Sequence, residues 1–212
     1  MIFAMQFSSL LDGILIGNLI SGEALAATSL VMPVLYVIQA PGFALGVGGS
    51  IVVANKLGKR DVEGAKKAFS LSMIIGIAAS ILFAAIAFLV SSPLAKLFGE
   101  ASYDLSYPYI LIYLLTDPII TISLLLGSFM AVDNNPRLSS IFFIISNVAK
   151  VGLEFIFIKL FNWGMYGAAL STGAGFLIAF IVIPFYIKSN KRTLGFTFKV
   201  RHTSIFNIIK SY

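Results

Sequence analysis

Asp12, Asp117, Lys150 and Glu154 stand inside stretches of the chain that are otherwise apolar. A charge at the centre of a bilayer costs roughly 2.5–3.5 kcal/mol even on the most lenient insertion scales. Such side chains face a bundle interior or a wet cavity and mark routes for ions or substrates. The chemistry open to them is the binding and exchange of protons and cations. Asn147, Lys150 and Glu154 are separated by three and four residues, which places them on one face of a helix whose other positions are Ile, Val, Leu and Phe. Two readings stay open. The stripe faces a polar interior or a partner helix, or Lys150 and Glu154 neutralise each other as an i,i+4 pair. The order Lys-then-Glu is the weaker one for such pairs.

A second stripe runs through Tyr109, Tyr113, Asp117, Thr121, Leu124 and Ser128. Asp117 precedes Pro118, which frees a backbone carbonyl and permits a bend. The alternative is a carboxylate near enough to the outer interface to stay hydrated. A third group is Ser8, Ser9 and Asp12, followed by Gly13 and Gly17. The serines are candidates to hydrogen-bond the carboxylate or a neighbouring helix. Gly13–Gly17 and Gly42–Gly46 form GxxxG spacings, which imply close helix packing and little more.

These residues must be positioned by membrane-spanning helices. The 212-residue chain is 58% hydrophobic and only 11% charged, against roughly 25% charged in ordinary soluble domains. A span needs about 20 mainly apolar residues. Six segments qualify, near 1–20, 24–54, 68–95, 106–132, 138–160 and 164–187. The fold class is therefore all-α and polytopic. The second segment holds Pro33 and Pro41 and is expected to kink or break. Turn residues fill the connectors: Ser21-Gly22, the run Lys56 to Asp61, Phe98-Gly99-Glu100, Asn134-Asn135-Pro136 and Asn162-Trp163-Gly164. The first segment lacks the basic start and the cleavage site of a secretory signal and is read as a true span, with a start that looks short.

Orientation follows from the cations. Lys56, Lys59, Arg60, Lys66, Lys67, Arg137, Lys188, Lys191, Arg192, Lys199, Arg201 and Lys210 fall on one side, whereas Lys96 and Lys159 fall on the other. The even-numbered loops and both termini are expected to be cytoplasmic. The net charge of +6 is thus a signature of topology, and nucleic acid is not an expected partner. Residues 1–187 are expected to form the transmembrane part. Residues 188–212 are expected to form a basic cytoplasmic tail, read as a helix on the inner leaflet carrying Ile205, Phe206, Ile208 and Ile209.

Enzyme chemistry finds no support. The chain has no Cys, and its one histidine, His202, lies in the polar tail. Gly46-Val47-Gly48-Gly49-Ser50 follows no strand, is not followed by Lys-Ser/Thr and lies in an apolar helix, so it is no nucleotide loop. Nothing in it resembles an ATP-binding domain, so any transport is expected to draw on an ion gradient unless a separate subunit supplies energy, and no cofactor is expected beyond a coupling H+ or Na+.

Together these stretches resemble the multidrug and toxic compound extrusion (MATE) transporters. Asp12-Gly13-Ile14-Leu15-Ile16-Gly17-Asn18 with Ala24-Leu25-Ala26-Ala27 is similar to that family's first helix and the residues just after it. Gly46 to Ser50, Leu57-Gly58-Lys59-Arg60-Asp61 and Ala65 are similar to the end of its second helix and the loop beyond. Asn134-Asn135-Pro136-Arg137, Leu153 to Ile158, and Gly164-Met165-Tyr166-Gly167-Ala168-Ala169-Leu170-Ser171-Thr172 are similar to its later signatures. The order and spacing hold over about residues 10–187.

The resemblance implies one lobe of a two-lobe, twelve-helix transporter, the first, working with a second six-helix lobe. It also implies an ion-coupling group at Asp12, Lys150, Glu154 and Thr172, with Asn147 beside it. Sodium at Asp12, Glu154 and Thr172 is one possibility. Two positions depart from the family pattern. Glu154 stands in place of Asp, and Lys150 in place of Asn, so an ammonium group can occupy the place of a bound sodium. Protonation of Asp12 or Glu154 is then the favoured coupling event. The expected function is export of amphiphilic, often cationic compounds in exchange for protons or sodium. Met5, Met32, Tyr36, Gln39, Tyr113 and Asp117 are the candidate substrate contacts, since they pair soft apolar surface with aromatic faces. For each Met, ordinary helix packing is the alternative. Two other readings remain: a flippase of lipid-linked precursors on a related fold, and a truncated membrane fragment that does not transport.

Overall fold

The computed structural model describes residues 2–197, with side chains except those of residues 2–6, 87–88 and 100–101. Met5 and the cluster Ile205–Ile209 therefore lie outside the described side chains. The chain forms α1 (Ile2–Leu19), α2 (Gly22–Gly58), α3 (Val62–Leu97), α4 (Glu100–Val132), α5 (Pro136–Phe155), a π-helical turn (Ile156–Leu160), α6 (Gly164–Ala179), a 3₁₀ turn (Phe180–Val182) and α7 (Ile183–Ile187). Five of these stretches are long and apolar enough to cross a membrane: Gly22–Gly58, Val62–Ile86, Ser102–Val132, Pro136–Leu160 and Gly164–Ile187. Phe7–Leu19, the part of α1 whose side chains are described, is apolar as well.

The boundaries come from local chemistry. The Ser21 hydroxyl accepts from Ala24 N at 3.0 Å and starts α2. The Asp61 carboxylate accepts from Gly64 N at 2.8 Å and starts α3. That bond, supported by Lys56, holds the Asp61 carboxyl below its ordinary value of 3.8. Pro136 occupies the first turn of α5, where its missing N–H costs nothing. Arg60, Asn134 and Asn162 take positive φ in the connectors. Gly99, at φ +95°, sits where a side chain would be strained. Of the kink or break expected at Pro33 and Pro41, no break occurs: α2 is continuous through both.

Helix α4 is central and packs on α2, α3, α5 and α6. Helix α1 leans on α2, α5 and α6, while α2 and α5 barely touch. A space is left between them, walled by α1, α2, α4, α5 and α6. The main core joins Val31 and Leu35 of α2, Ile110 and Leu114 of α4, Phe142 and Phe143 of α5, and Ala168 and Ala169 of α6. A second core at one end holds Val52 and Val53 (α2), Ala65, Ala68 and Phe69 (α3), Leu125 and Phe129 (α4) and Leu194. Large apolar side chains point outward all round, with Val37 73% and Leu89 76% exposed, as expected of surfaces facing lipid.

Of the expected surface helix, the part carrying Ile205, Phe206, Ile208 and Ile209 lies outside the described residues. Residues 188–197 are irregular and fold back over the end of the bundle. Leu194 is buried, Thr197 N donates to Ser70 Oγ at 2.9 Å, and Phe196 meets the Phe69 ring at 5.2 Å. The anchor is Asp133, the residue that ends α4. Its fully buried carboxylate accepts from Tyr186 Oη (2.5 Å), Thr193 N (2.9 Å), the Thr193 hydroxyl and Leu194 N (3.1 Å). Arg192 lies 5.7 Å from the centre of the Tyr186 ring and closes the corner.

Candidate functional site

A cavity of about 490 Å³ fills the space between α2 and α5. Ser9 and Asp12 reach it from α1, Met32, Tyr36, Gln39 and Phe43 from α2, and Tyr113, Ile120 and Leu124 from α4. Asn147 and Lys150 of α5 and Thr172 and Phe176 of α6 complete the lining. The volume lies within the range of small-molecule pockets, roughly 300–1,000 Å³.

Asp12 and Lys150 meet across the cavity wall. Lys150 Nζ donates to Asp12 Oδ2, joining α5 to α1. The intramembrane lysine thus pairs between helices rather than with Glu154 one turn along. Glu154 is 1% exposed and does not line the cavity. Its carboxyl adjoins that of Asp12, with Lys150 near both. Glu154 Oε2 and Asp12 Oδ1 are buried without a hydrogen-bond partner. Two carboxyls and one ammonium therefore share a nearly dry corner, and one cation cannot compensate two full negative charges. A proton on either acid would supply the missing donor. The Ser8 hydroxyl, a candidate to bond Asp12, is buried without a partner. Asn147 turns its amide N–H to Phe143 O at 2.7 Å.

The backbone fixes this corner tightly. A Cβ at Gly175 would fall 2.7 Å from Ser146 O and 2.8 Å from Lys150 N and Cβ. Only glycine lets α6 approach α5 at the turn that carries Lys150. Beyond Glu154 the helix widens into its π turn, where Phe161 N donates to Ile156 O at 3.2 Å.

Asp117 forms a separate group. It is 2% exposed and stands behind the lining, not in it. Thr121 Oγ1 donates to its Oδ2 over a long 3.5 Å, and the Gln39 amide lies beside it. Gln39 Nε2 also donates to Tyr113 Oη at 3.1 Å. Asp117 lies fifteen residues from Ser102 and fifteen from Val132, the ends of its span. That position is the middle of the apolar stretch, and the carboxyl is buried there among neighbouring helices.

The cavity thus gathers Asp12, Met32, Tyr36, Gln39, Tyr113, Asn147, Lys150 and Thr172, and leaves Asp117 and Glu154 just behind it. Phe43, Ile120 and Phe176 were not singled out from the sequence. In an apolar span nothing in residue type separates a cavity-lining Phe from one that faces lipid.

A helical bundle of this kind, with a charged cavity among its spans, has the make-up of a lobe of a multi-pass membrane transporter. The MatE family profile matches residues 1–156, and the chain belongs to that family of transporters. Multidrug export protein MepA of Staphylococcus saprophyticus is 27% identical over 187 residues, covering 86% of this chain and 42% of its own length. MepA of Staphylococcus haemolyticus is 26% identical over 190 residues, with 87% and 41% covered. The chain spans less than half the length of these curated relatives. Among solved structures, a MOP superfamily transporter from Pyrococcus furiosus superposes with a TM-score of 0.88 at 22% identity, over 99% of this chain and 48% of its own. The outward-facing conformation of a multidrug resistance MATE family transporter gives the same score, identity and coverage. The fold is therefore that of one MATE lobe.

Proposed function

We propose that this chain is the first lobe of a secondary active exporter, with both termini cytoplasmic, that passes amphiphilic and often cationic small molecules outward in exchange for protons or sodium. It acts with a second six-helix lobe and performs no bond chemistry. The observation that carries this reading is the corner of Asp12, Lys150 and Glu154, where carboxyl oxygens remain unpartnered beside a cavity of small-molecule size. Lys150 occupies the place a metal cation would take, which favours proton over sodium as the coupling ion. An acid that gains and loses a proton switches its pairing with Lys150 and so links the cavity's charge to an imposed gradient. Aromatic and thioether groups at Tyr36, Tyr113 and Met32 suit flat cationic cargo.

The test is efflux of a fluorescent cation from proteoliposomes holding the two-lobe protein, with proton and sodium gradients imposed one at a time. Efflux driven by the proton gradient supports the reading, and efflux indifferent to both gradients overturns it. Replacing Lys150 by Asn empties the place of the ammonium, and Lys150→Asn is expected to increase the dependence on sodium. No change in either ion dependence would refute the role given to Lys150.

A further inference from the structure

Among the four buried acids of the described residues, Asp117 has the least explained environment. It lies at the centre of its span, and its Oδ1 is buried without a partner. Its Oδ2 has one long hydroxyl bond from Thr121. The ion pairs among the described residues are Lys56–Asp61 and Lys150–Asp12, so no cation is paired with it. The groups that face it are neutral: the Gln39 amide from α2, and the Thr121 hydroxyl and Tyr113 phenol from α4. A carboxylate in that setting would be uncompensated at mid-bilayer. A carboxylic acid would instead place its own O–H where a donor is lacking.

The site also has an entry. Gln39 and Tyr113 both line the cavity and bond to each other, forming a thin screen in front of Asp117. Gln39 is a flexible side chain and can swing away. Gly42 keeps room next to Thr121, since a Cβ there would come 3.0 Å from Thr121 Oγ1.

We propose that Asp117 is a second exchange site of the cavity wall, separate from the Asp12 corner, that holds a proton when the cavity is empty and a monovalent cation when Gln39 moves aside. On exchange, the Asp117 O–H bond breaks, the proton leaves to cavity water, and the carboxylate keeps the electron pair and contacts the incoming charge. This deepens the exporter reading and rests on it. Under this scheme two acids in one lobe, Asp117 and one of the Asp12 corner, each release a proton.

The experiment is infrared difference spectroscopy on the reconstituted two-lobe protein, which reads the C=O stretch of a buried carboxylic acid. The wild type is expected to show a band that vanishes in Asp117→Asn and survives in Asp12→Asn. Sodium chloride alone and tetraphenylphosphonium chloride alone are then added in separate arms. Loss of the band in either arm supports exchange and identifies the cation; persistence in both overturns it. A carboxylic-acid spectrum that Asp117→Asn leaves wholly unchanged also overturns the proposal. Should that variant not fold, Thr121→Val removes the hydroxyl at Oδ2 and must shift the wild-type band, and an unshifted band counts against Asp117. Efflux is measured in parallel. A wild type that exports under no gradient refutes the exporter reading whatever the spectrum shows. A functional wild type is expected to lose roughly tenfold in apparent affinity for tetraphenylphosphonium with Asp117→Asn, the scale of one charge-assisted contact; unchanged affinity overturns the inference.

Discussion

Helix α4 carries one buried acid at its centre and another where it ends, sixteen residues apart, and their surroundings are opposite. Asp133 is saturated: a phenol, a hydroxyl and two backbone amides donate to its two oxygens. Asp117 has a long hydroxyl bond from Thr121, the Gln39 amide beside it, and one oxygen with no partner. Both are at most 2% exposed, so burial alone does not distinguish them. A saturated carboxylate gains nothing from a proton or a cation, because every lone-pair direction is in use. It acts as a staple, fastening residues 186–194 to the α4–α5 corner. An under-partnered carboxylate is costly to bury charged, and the cost falls when a proton or cation arrives. The Asp12–Glu154 corner lies between these extremes, since Lys150 meets part of its need.

The largest effect is expected at the staple. Asp133→Ala leaves the Tyr186 and Thr193 hydroxyls and the Thr193 and Leu194 amides without their acceptor, a loss of about 4 kcal/mol. Thermal unfolding in detergent should show a lower midpoint, and trypsin should cut faster after Lys191 or Arg192. Unchanged protection there would mean that the comparison fails at its structural end. A smaller loss, about 2 kcal/mol for forced overpacking, is expected for Gly175→Ala, whose new methyl group would press on the Lys150 turn. The sharper readout is efflux: the variant should lose gradient coupling at temperatures where it remains folded, and normal coupling would show that the placement of Lys150 is not critical.

The smallest effect belongs to an exposed acid, Asp61. Removing its helix cap by Asp61→Ala should cost about 1 kcal/mol. Because the Gly64 bond and Lys56 lower its folded value, the contribution is present above its ordinary value of 3.8 and fades as pH falls through the lowered one. Stability curves of wild type and variant should converge in acid; a constant gap down to the most acidic pH would contradict that assignment.

Much of this was legible in the sequence, for physical reasons. Lipid forces long apolar helices, so the spans stood out, and Ser21, Asp61, Gly99, Asn134 and Pro136 marked their ends through capping and turn chemistry. Charges in an apolar span are costly, so Asp12, Asp117, Lys150 and Glu154 stood out as well. What could not be read was pairing over long separations. Whether Lys150 meets Glu154 or Asp12 depends on how α1 leans on α5, and periodicity carries no such information. Asp133 looked like an ordinary connector residue because its donors lie 53 to 61 positions onward, in a segment whose basic composition suggested a surface helix. The cavity's apolar wall was hidden for a related reason: Phe43 and Phe176 resemble every other apolar residue in the spans.

The central claim is that under-partnered acids exchange ions and the saturated one does not. Proton-gradient-driven efflux by Asp12→Asn and Asp133→Asn variants of the two-lobe protein, measured side by side below both unfolding midpoints, tests it most directly. Asp12→Asn should lose coupled efflux, while Asp133→Asn, though less stable, should retain it. Coupled efflux that survives in Asp12→Asn, or disappears in a folded Asp133→Asn, would contradict the claim.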